Sequence, residues 1–500
     1  MSENEEPQHG SASHGTKRER KETDVGSVMS SEVHAKENNL VEWDSIDDKE
    51  DVRRMSNLRK WFITILLTVS ALNFTALSSM WSTVSASIQK EFGSSFEVTV
   101  LGISLFMVCL ASGPLLIAPL SEFYGRKPLY TISYLIYFAT QFITAFGKNI
   151  GTLLVGRALS GFFGSVFLSN TPGTISDIFY PHQLTLPMTL FTIGPFVGPG
   201  LGPVISGFIV ASVGYKWAFY VFLIWSGVLL VAVFFLVPET YAPILKVTKA
   251  KRLRKTTGNE KLYAEFEKKD KNILRAVRTN CTRPFLLLAL DPMILLLCFY
   301  SGFLLAIVYF FFIAFPLVFE DVYGFKIQFV GLSFLGVTVG MVIGSLTAPI
   351  WHRIHQSLIE KNKGVPEPEM RLPQLCCGGL IIPIGLFFFA WTIYPSVHWM
   401  APIVASGVFG LGCYLAFNTI LSYLVDAYRQ YAASTMAANV SVRCFMAAAF
   451  PLFGKQMLYG MTFHWAISFI GFISILLCPS GFLFFTYGKF LRSKSKFAST

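Results

Sequence analysis

Few side chains in this sequence could do chemistry, and the most telling of them lie where charge is expensive. Arg157 and Arg443 fall inside long apolar runs, where an ionised group costs at least about 2.5 kcal/mol and normally faces a cavity or a partner. Asn439 lies one helical turn before Arg443 and so on its face. An arginine keeps its proton, since its reference pKa exceeds about 12, so neither residue can itself carry a proton through a cycle. Either can, however, favour the ionised form of a carboxylate that approaches it. Asp177, Asp426 and Asp291 lie near the ends of apolar runs, where each could equally cap a helix or sit at a surface. Arg157, Asp177, Asp426 and Arg443 are therefore the candidate coupling residues. No Walker loop, zinc-spaced cluster or nucleophile with an adjacent base stands out. This argues against an enzyme, a metal or a bound cofactor, and leaves an ion gradient, that of protons, or downhill flow as the source of work.

These residues need a scaffold, and composition gives its class. Hydrophobic residues make up 53% and charged residues 14% of the 500 residues, with a mean hydropathy of +0.53, too apolar for a soluble chain. Apolar runs of roughly 20 residues, enough to cross about 30 Å of hydrocarbon, recur at short intervals, unlike the alternating pattern of a membrane barrel. The expected fold is an all-α polytopic membrane protein of twelve transmembrane helices in two six-helix pseudo-repeats. The spans are placed at about 61–83, 98–118, 128–147, 151–176, 187–211, 216–237, 290–317, 329–350, 373–394, 399–422, 434–459 and 463–487.

Residues 1–58 read as a disordered tail, 59–237 as the first half, 238–289 as a basic loop, 290–487 as the second half and 488–500 as a short tail. The net charge of +11 does not signal nucleic acid, because the cations crowd into loops beside apolar spans. By the positive-inside rule the basic loop and both termini are cytoplasmic; the loop is a solvated linker or a contact for anionic lipid. The eight cysteines lie in spans or in that loop and are expected to be free thiols. The halves look like repeats. Asp177-Ile-Phe-Tyr180 ends span 4 as Asp426-Ala-Tyr428 ends span 10, and Ala118-Pro119 through Gly125-Arg126-Lys127 after span 2 has a worn copy in Ala348-Pro349 through Arg353 after span 8.

Span 5 carries Gly194-Pro195, Gly198-Pro199 and Gly202-Pro203, four residues apart. Each proline removes a backbone donor and crowds the carbonyl four residues earlier, so the helix should kink or loosen. The three glycines fall nearly on one face, a smooth surface against which a neighbouring helix can rock. A tight turn at Gly125, with Arg126 and Lys127 pairing with Glu122, is expected to form a cytoplasmic latch that breaks as the halves separate. Aromatic-rich spans with the polar anchors Asn73, Asn170, Tyr300, Tyr309, Asn418 and Asn439 would line a greasy pocket for planar or cationic amphiphiles.

At these residues the sequence resembles the major facilitator superfamily, and within it the fungal twelve-span drug:proton antiporters that also include polyamine exporters. Ala118 to Lys127 is similar to the superfamily's loop 2-3 signature, Gly156-Arg157 with Gly161 to its span 4 motif, and Gly194 to Pro203 to the antiporter motif of span 5. Pro238-Glu-Thr-Tyr-Ala-Pro243, Lys249 to Lys255, Pro366 to Pro373, and Tyr431 to Ser434 through Pro451 to Phe453 resemble the fungal subfamily. The resemblance implies alternating-access export of hydrophobic drugs or organic cations, with protons and a small-molecule substrate as partners. The protein would be a plasma-membrane monomer using the proton gradient and no cofactor. The alternatives are a nutrient uptake or facilitated-diffusion permease and a non-transporting nutrient sensor.

Overall fold

The computed structural model describes residues 39–43, 51–180, 183–268, 273–495 and 497. They form two compact units, one from the chain up to Arg54 together with 242–268, the other from Met55 to Tyr241 and from 273 onward.

The larger unit is a helical bundle. Ten of its helical stretches are long and apolar enough to cross a bilayer, and two details bring this to the twelve crossings read from sequence. Crossing 3, Arg126–Ala145, is less apolar because its inner face carries Tyr130, Tyr134, Tyr137, Thr140 and Gln141, all buried. Crossings 11 and 12 form one continuous stretch from Ala432, interrupted at Thr462, whose φ of 65° and ψ of 156° are not helical. Crossing 1 runs as Asn57–Ser79 and Trp81–Phe92, with a break at Met80. Crossing 2 is Phe96–Tyr124, crossing 4 is Ile150–Gly164 with Val166–Ile178, and crossing 6 is Tyr215–Leu236. In the second half, crossing 7 is Pro292–Asp321, crossing 8 is Ile327–Ser333 with Leu335–Leu346, crossing 9 is Leu372–Ala390 and crossing 10 is Met400–Ala427. The end of the bundle at Asn57, Tyr124 and Arg371 is called here the near end, and that at Phe92, Phe96 and Asp321 the far end.

Crossing 5, Thr185–Val213, stays helical through Pro195, Pro199 and Pro203, so the missing donors do not interrupt it. Gly194, Gly198 and Gly202 do form one close-packed face, but it lies on crossing 1 of the same half. A Cβ added at each would stand 2.9 Å from the Thr68 carbonyl, 2.9 Å from that of Leu72 and 2.3 Å from that of Ala76, respectively. The contact with the other half is made by different glycines. Gly200 abuts Thr338, Gly207 abuts the Ile327 carbonyl, and Gly331 of crossing 8 abuts the Pro203 carbonyl. Small residues let backbones approach in both places, but only the second seam lies between the halves.

Past crossing 6, the stretch read as one basic loop divides. Helix Ile273–Leu290 belongs to the larger unit and packs on crossings 2 and 11, with Cys281 Sγ 3.9 Å from the Leu115 carbonyl. Helix Ala242–Thr257 belongs to the smaller unit, together with residues 39–43 of the stretch expected to be disordered. Val41 N–H donates to the Tyr263 carbonyl and Tyr263 N–H to that of Asn39, both at 2.8 Å. Val41, Val247, Ala250 and Ala264 make a small core flanked by Leu253, Leu262 and Phe266. The Trp43 ring lies 5.7 Å from Lys246 Nζ and 5.6 Å from Lys249 Nζ, cation–π distances, and Lys249 also donates to the Glu42 carbonyl at 3.2 Å. Arg254 pairs with Glu267; burial opposes the charge on Glu267, but the Ala264 N–H and the guanidinium hold its carboxyl below the usual range. The remainder of the expected tail, 1–38 and 44–50, lies outside the described residues.

Candidate functional site

Contacts between the halves concentrate toward the far end. Gln456 Nε2 donates to Glu97 Oε1 at 3.2 Å, Lys455 Nζ lies 4.4 Å from the Phe96 ring centre, and Ser104 Oγ donates to the Ala448 carbonyl at 2.7 Å. Deeper in the bundle, Ser78 and Tyr309 share a hydrogen bond of 2.9 Å between crossings 1 and 7.

Arg157 anchors this seal from inside the first half. It is 1% exposed and points across crossing 4 at the break in crossing 1. Its Nη1 donates to the Leu77 carbonyl at 2.7 Å, Nη2 to that of Ser78 at 2.9 Å, and Nε to that of Gly102 at 3.1 Å. The negative end of the helix Asn57–Ser79 thus takes the charge, with the Phe106 and Trp81 rings 4.4 and 5.1 Å away. No carboxylate meets Arg157 among the described residues; the tuning of an acid expected from sequence has no partner in this conformation. Its reach to the second half runs through Ser78 to Tyr309. Arg443 lies over the Phe417 ring at 5.7 Å, with its Nε lacking a hydrogen-bond partner. Asn439 Nδ2, one turn earlier, donates to Ser301 Oγ at 2.6 Å.

The near end is organised by ion pairs. Arg126 Nε pairs with Asp177 Oδ2 at 3.2 Å, and its Nη1 donates to Ser121 Oγ at 2.7 Å. Glu122, the expected latch acid, is exposed and makes no ion pair among the described residues. The acid at the turn is Glu239, whose carboxylate accepts from Arg126 N–H at 2.9 Å and Lys127 N–H at 3.1 Å, capping crossing 3. Gly125 is required here, with φ at +95° and room for no Cβ beside Glu239. The second half repeats the pair, but through Arg371, whose Nε donates to Asp426 Oδ2 at 2.5 Å. The residue matched by sequence, Arg353, is exposed on a helical extension, Ala348–Lys361, that displaces the equivalent arginine down the chain. Both aspartates thus hold arginines at a helix end, and Asp291 caps crossing 7 through the Met293 and Ile294 N–H groups. Glu239 and Arg371 had a readable signal, a charge within two residues of an apolar span. Glu239→Gln is expected to lower stability by about 0.5–2 kcal/mol, read by thermal melting of the purified protein, whereas Glu122→Gln leaves melting unchanged.

The expected pocket residues do not converge. Asn73 accepts from Tyr137 at 3.2 Å and Ser226 at 2.9 Å, in the interior of the first half, and Tyr300 is buried in the second half beside Gly379. Asn170 is buried with its Nδ2 unpartnered. Asn418 alone of the six lines the sizeable near-end cavity, about 260 Å³, together with Thr189, Trp351, His355, Arg371 and Gln374. All eight cysteines are free.

Comparison with known proteins agrees with this architecture. The profile of the Major Facilitator Superfamily matches residues 66–451. The chain is 43% identical over 458 residues to the "Probable drug/proton antiporter YHK8" of Saccharomyces cerevisiae, covering 91% of this chain and 89% of that one. It is 41% identical over 465 residues to the "Efflux pump atB" of Aspergillus terreus, covering 92% and 90%. Among solved structures, a peptide transporter POT in complex with alafosfalin superposes with a TM-score of 0.63 at 15% identity, over 90% of this chain and 100% of that one. The inward open xylose transporter XylE from E. coli gives 0.61 at 14% identity, over 84% and 95%.

Proposed function

From a chain that belongs to the major facilitator superfamily, we propose a drug/proton antiporter that works by alternating access, with its near end facing the cytoplasm of a plasma membrane. The observation that carries the activity is the identity of about two residues in five, over nine-tenths of both chains, to a drug/proton antiporter and an efflux pump. The chain is a transporter and not an enzyme. The basic helix Ala242–Thr257 supports a cytoplasmic near end. With the far end sealed by Glu97–Gln456 and the near-end cavity open at Asn418, the molecule is in an inward-facing state. Arg157, Tyr309 and Arg443 hold the seal, while the Arg126–Asp177 and Arg371–Asp426 pairs are each made within one half and stay intact in this state. Substrate is a small amphiphile, and protons returning inward drive its export.

Purified protein in liposomes with an imposed pH difference tests this. A hydrophobic dye or drug from a panel should accumulate against its gradient only when the pH difference is present, and a protonophore should abolish the accumulation. Equal flux with and without the pH difference for every transported compound would exclude antiport.

A further inference from the structure

The near-end cavity extends the functional reading above and rests on it. Crossing 5 contributes Thr189, and the second half contributes Trp351, His355, Arg371, Gln374 and Asn418, with His352 alongside. None of its lining residues is a carboxylate. Arg371 spends its Nε on Asp426, and its two Nη groups make no hydrogen bond among the described residues. Gln374 is 8% exposed, yet its side-chain amide is likewise without a partner, as is that of Asn418. An amide that lines a cavity and spends neither donor nor acceptor on the protein is free to bind a ligand there. The Trp351 indole N–H is committed to Thr347 Oγ1 at 3.1 Å.

We propose that this cavity binds a planar aromatic acid, an anionic head on a one- or two-ring apolar body. The guanidinium fork matches a carboxylate and binds it more strongly than a neutral oxygen. Two imidazoles and two amides add donors and no negative charge. An organic cation of the same size would meet the Nη groups of Arg371, whose carboxylate partner Asp426 is engaged at Nε and is not among the lining residues. The volume of about 260 Å³ lies just under the range of drug-sized pockets, about 300–1,000 Å³, which suits a bicyclic ring. Because Thr189 comes from the first half and the other groups from the second, the ligand is held across the seam and its site is rebuilt when the halves move. The same head-group chemistry belongs to anionic phospholipid, so the source of the acid is a separate arm of the test.

The experiment is calorimetric titration of the full chain in phosphatidylcholine nanodiscs with three probes on one skeleton: 2-naphthoate, 2-naphthamide and 2-naphthylmethylammonium. Naphthoate should bind at least tenfold more tightly than the other two, and Gln374→Leu and His355→Ala should each weaken it several-fold without changing the melting temperature. Discs containing phosphatidylglycerol divide the sources: competition with naphthoate assigns the site to lipid head groups, and no competition assigns it to a soluble acid. The proposal is overturned if the ammonium probe binds as tightly as naphthoate, or if both variants bind naphthoate as the parent does. Export of other compounds driven by a pH difference would survive that result. Conversely, tight naphthoate binding without such export of any compound would leave the site standing and sink the antiporter reading.

Discussion

Arg157→Ala should reduce uphill export to the level of protein-free liposomes. The substitution strips three buried carbonyls, those of Leu77, Ser78 and Gly102, of their charged donors. Each group left unsatisfied costs about 1–3 kcal/mol, and the contacts with Phe106 and Trp81 add roughly 1–2 kcal/mol more. The loss falls on crossings 1 and 2 of the first half and reaches the seal through Ser78, whose hydroxyl meets Tyr309 of the second half, so the sealed far end is weakened. Arg157→Lys keeps the charge but lacks the fork that reaches three carbonyls at once, and partial rescue is expected. Accumulation in liposomes measures transport, and a cysteine pair at Glu97 and Gln456 reports the seal by crosslinking. Parent-like accumulation driven by a pH difference in Arg157→Ala would refute the role. Loss of crosslinking with a residual flux that still follows the pH difference would place Arg157 in the seal and coupling elsewhere.

Gly331→Ala should trap the opposite state. Its Cβ would stand 2.4 Å from the Pro203 carbonyl oxygen and 3.1 Å from its carbon, which are backbone atoms that no rotamer change can move. The clash lies between crossings 5 and 8, so it penalises the sealed far end while each half keeps its own packing. Gly340→Ala is the control, since its Cβ would stand 1.9 Å from the Gly407 carbonyl within the second half. It should lower the melting temperature and yield. Overpacking of this kind costs about 1–3 kcal/mol, a shift of roughly fivefold to a hundredfold in the balance of states. Limited alkylation of a cysteine placed at Ser104 should speed up by that factor in Gly331→Ala. Unchanged alkylation, or a loss of folding as large as in Gly340→Ala, would refute the assignment of this seam to the moving interface.

The crossings were readable because length and hydropathy are local properties, and a run of about 20 apolar residues has few other uses. Arg157 was readable for the same reason, as a charge in an apolar run. Its partners were not, because they are backbone carbonyls, two of them at the break at Met80 and one, Gly102, in crossing 2, and a carbonyl has no letter. The Gly-Pro run announced close packing correctly, yet sequence could not say which face meets which neighbour; Gly194, Gly198 and Gly202 seat crossing 1, while Gly200 and Gly207 meet the other half. Asn73 and Tyr300 show the converse error. A polar residue in a span was read as facing the pathway, whereas each lies among buried neighbours within its own half. The turn at Gly125 holds a different acid from the one expected, since Glu239 is more than a hundred residues from the turn that it caps.

The pairing of residues 39–43 with Tyr263 and the helix Ala242–Thr257 bears on the order in which the protein is made. Tyr263 is synthesised only after six crossings, so the beginning of the chain waits for a partner that does not yet exist. Closing a ring of roughly 220 residues in an unfolded chain would be entropically opposed. Once the first six crossings have assembled, most of that ring is already ordered, and by the logarithmic dependence on loop length the closure that remains costs less. The segment around Trp43 therefore pairs late, only once the chain beyond the sixth crossing exists, which makes the small unit a product of assembly and not its start.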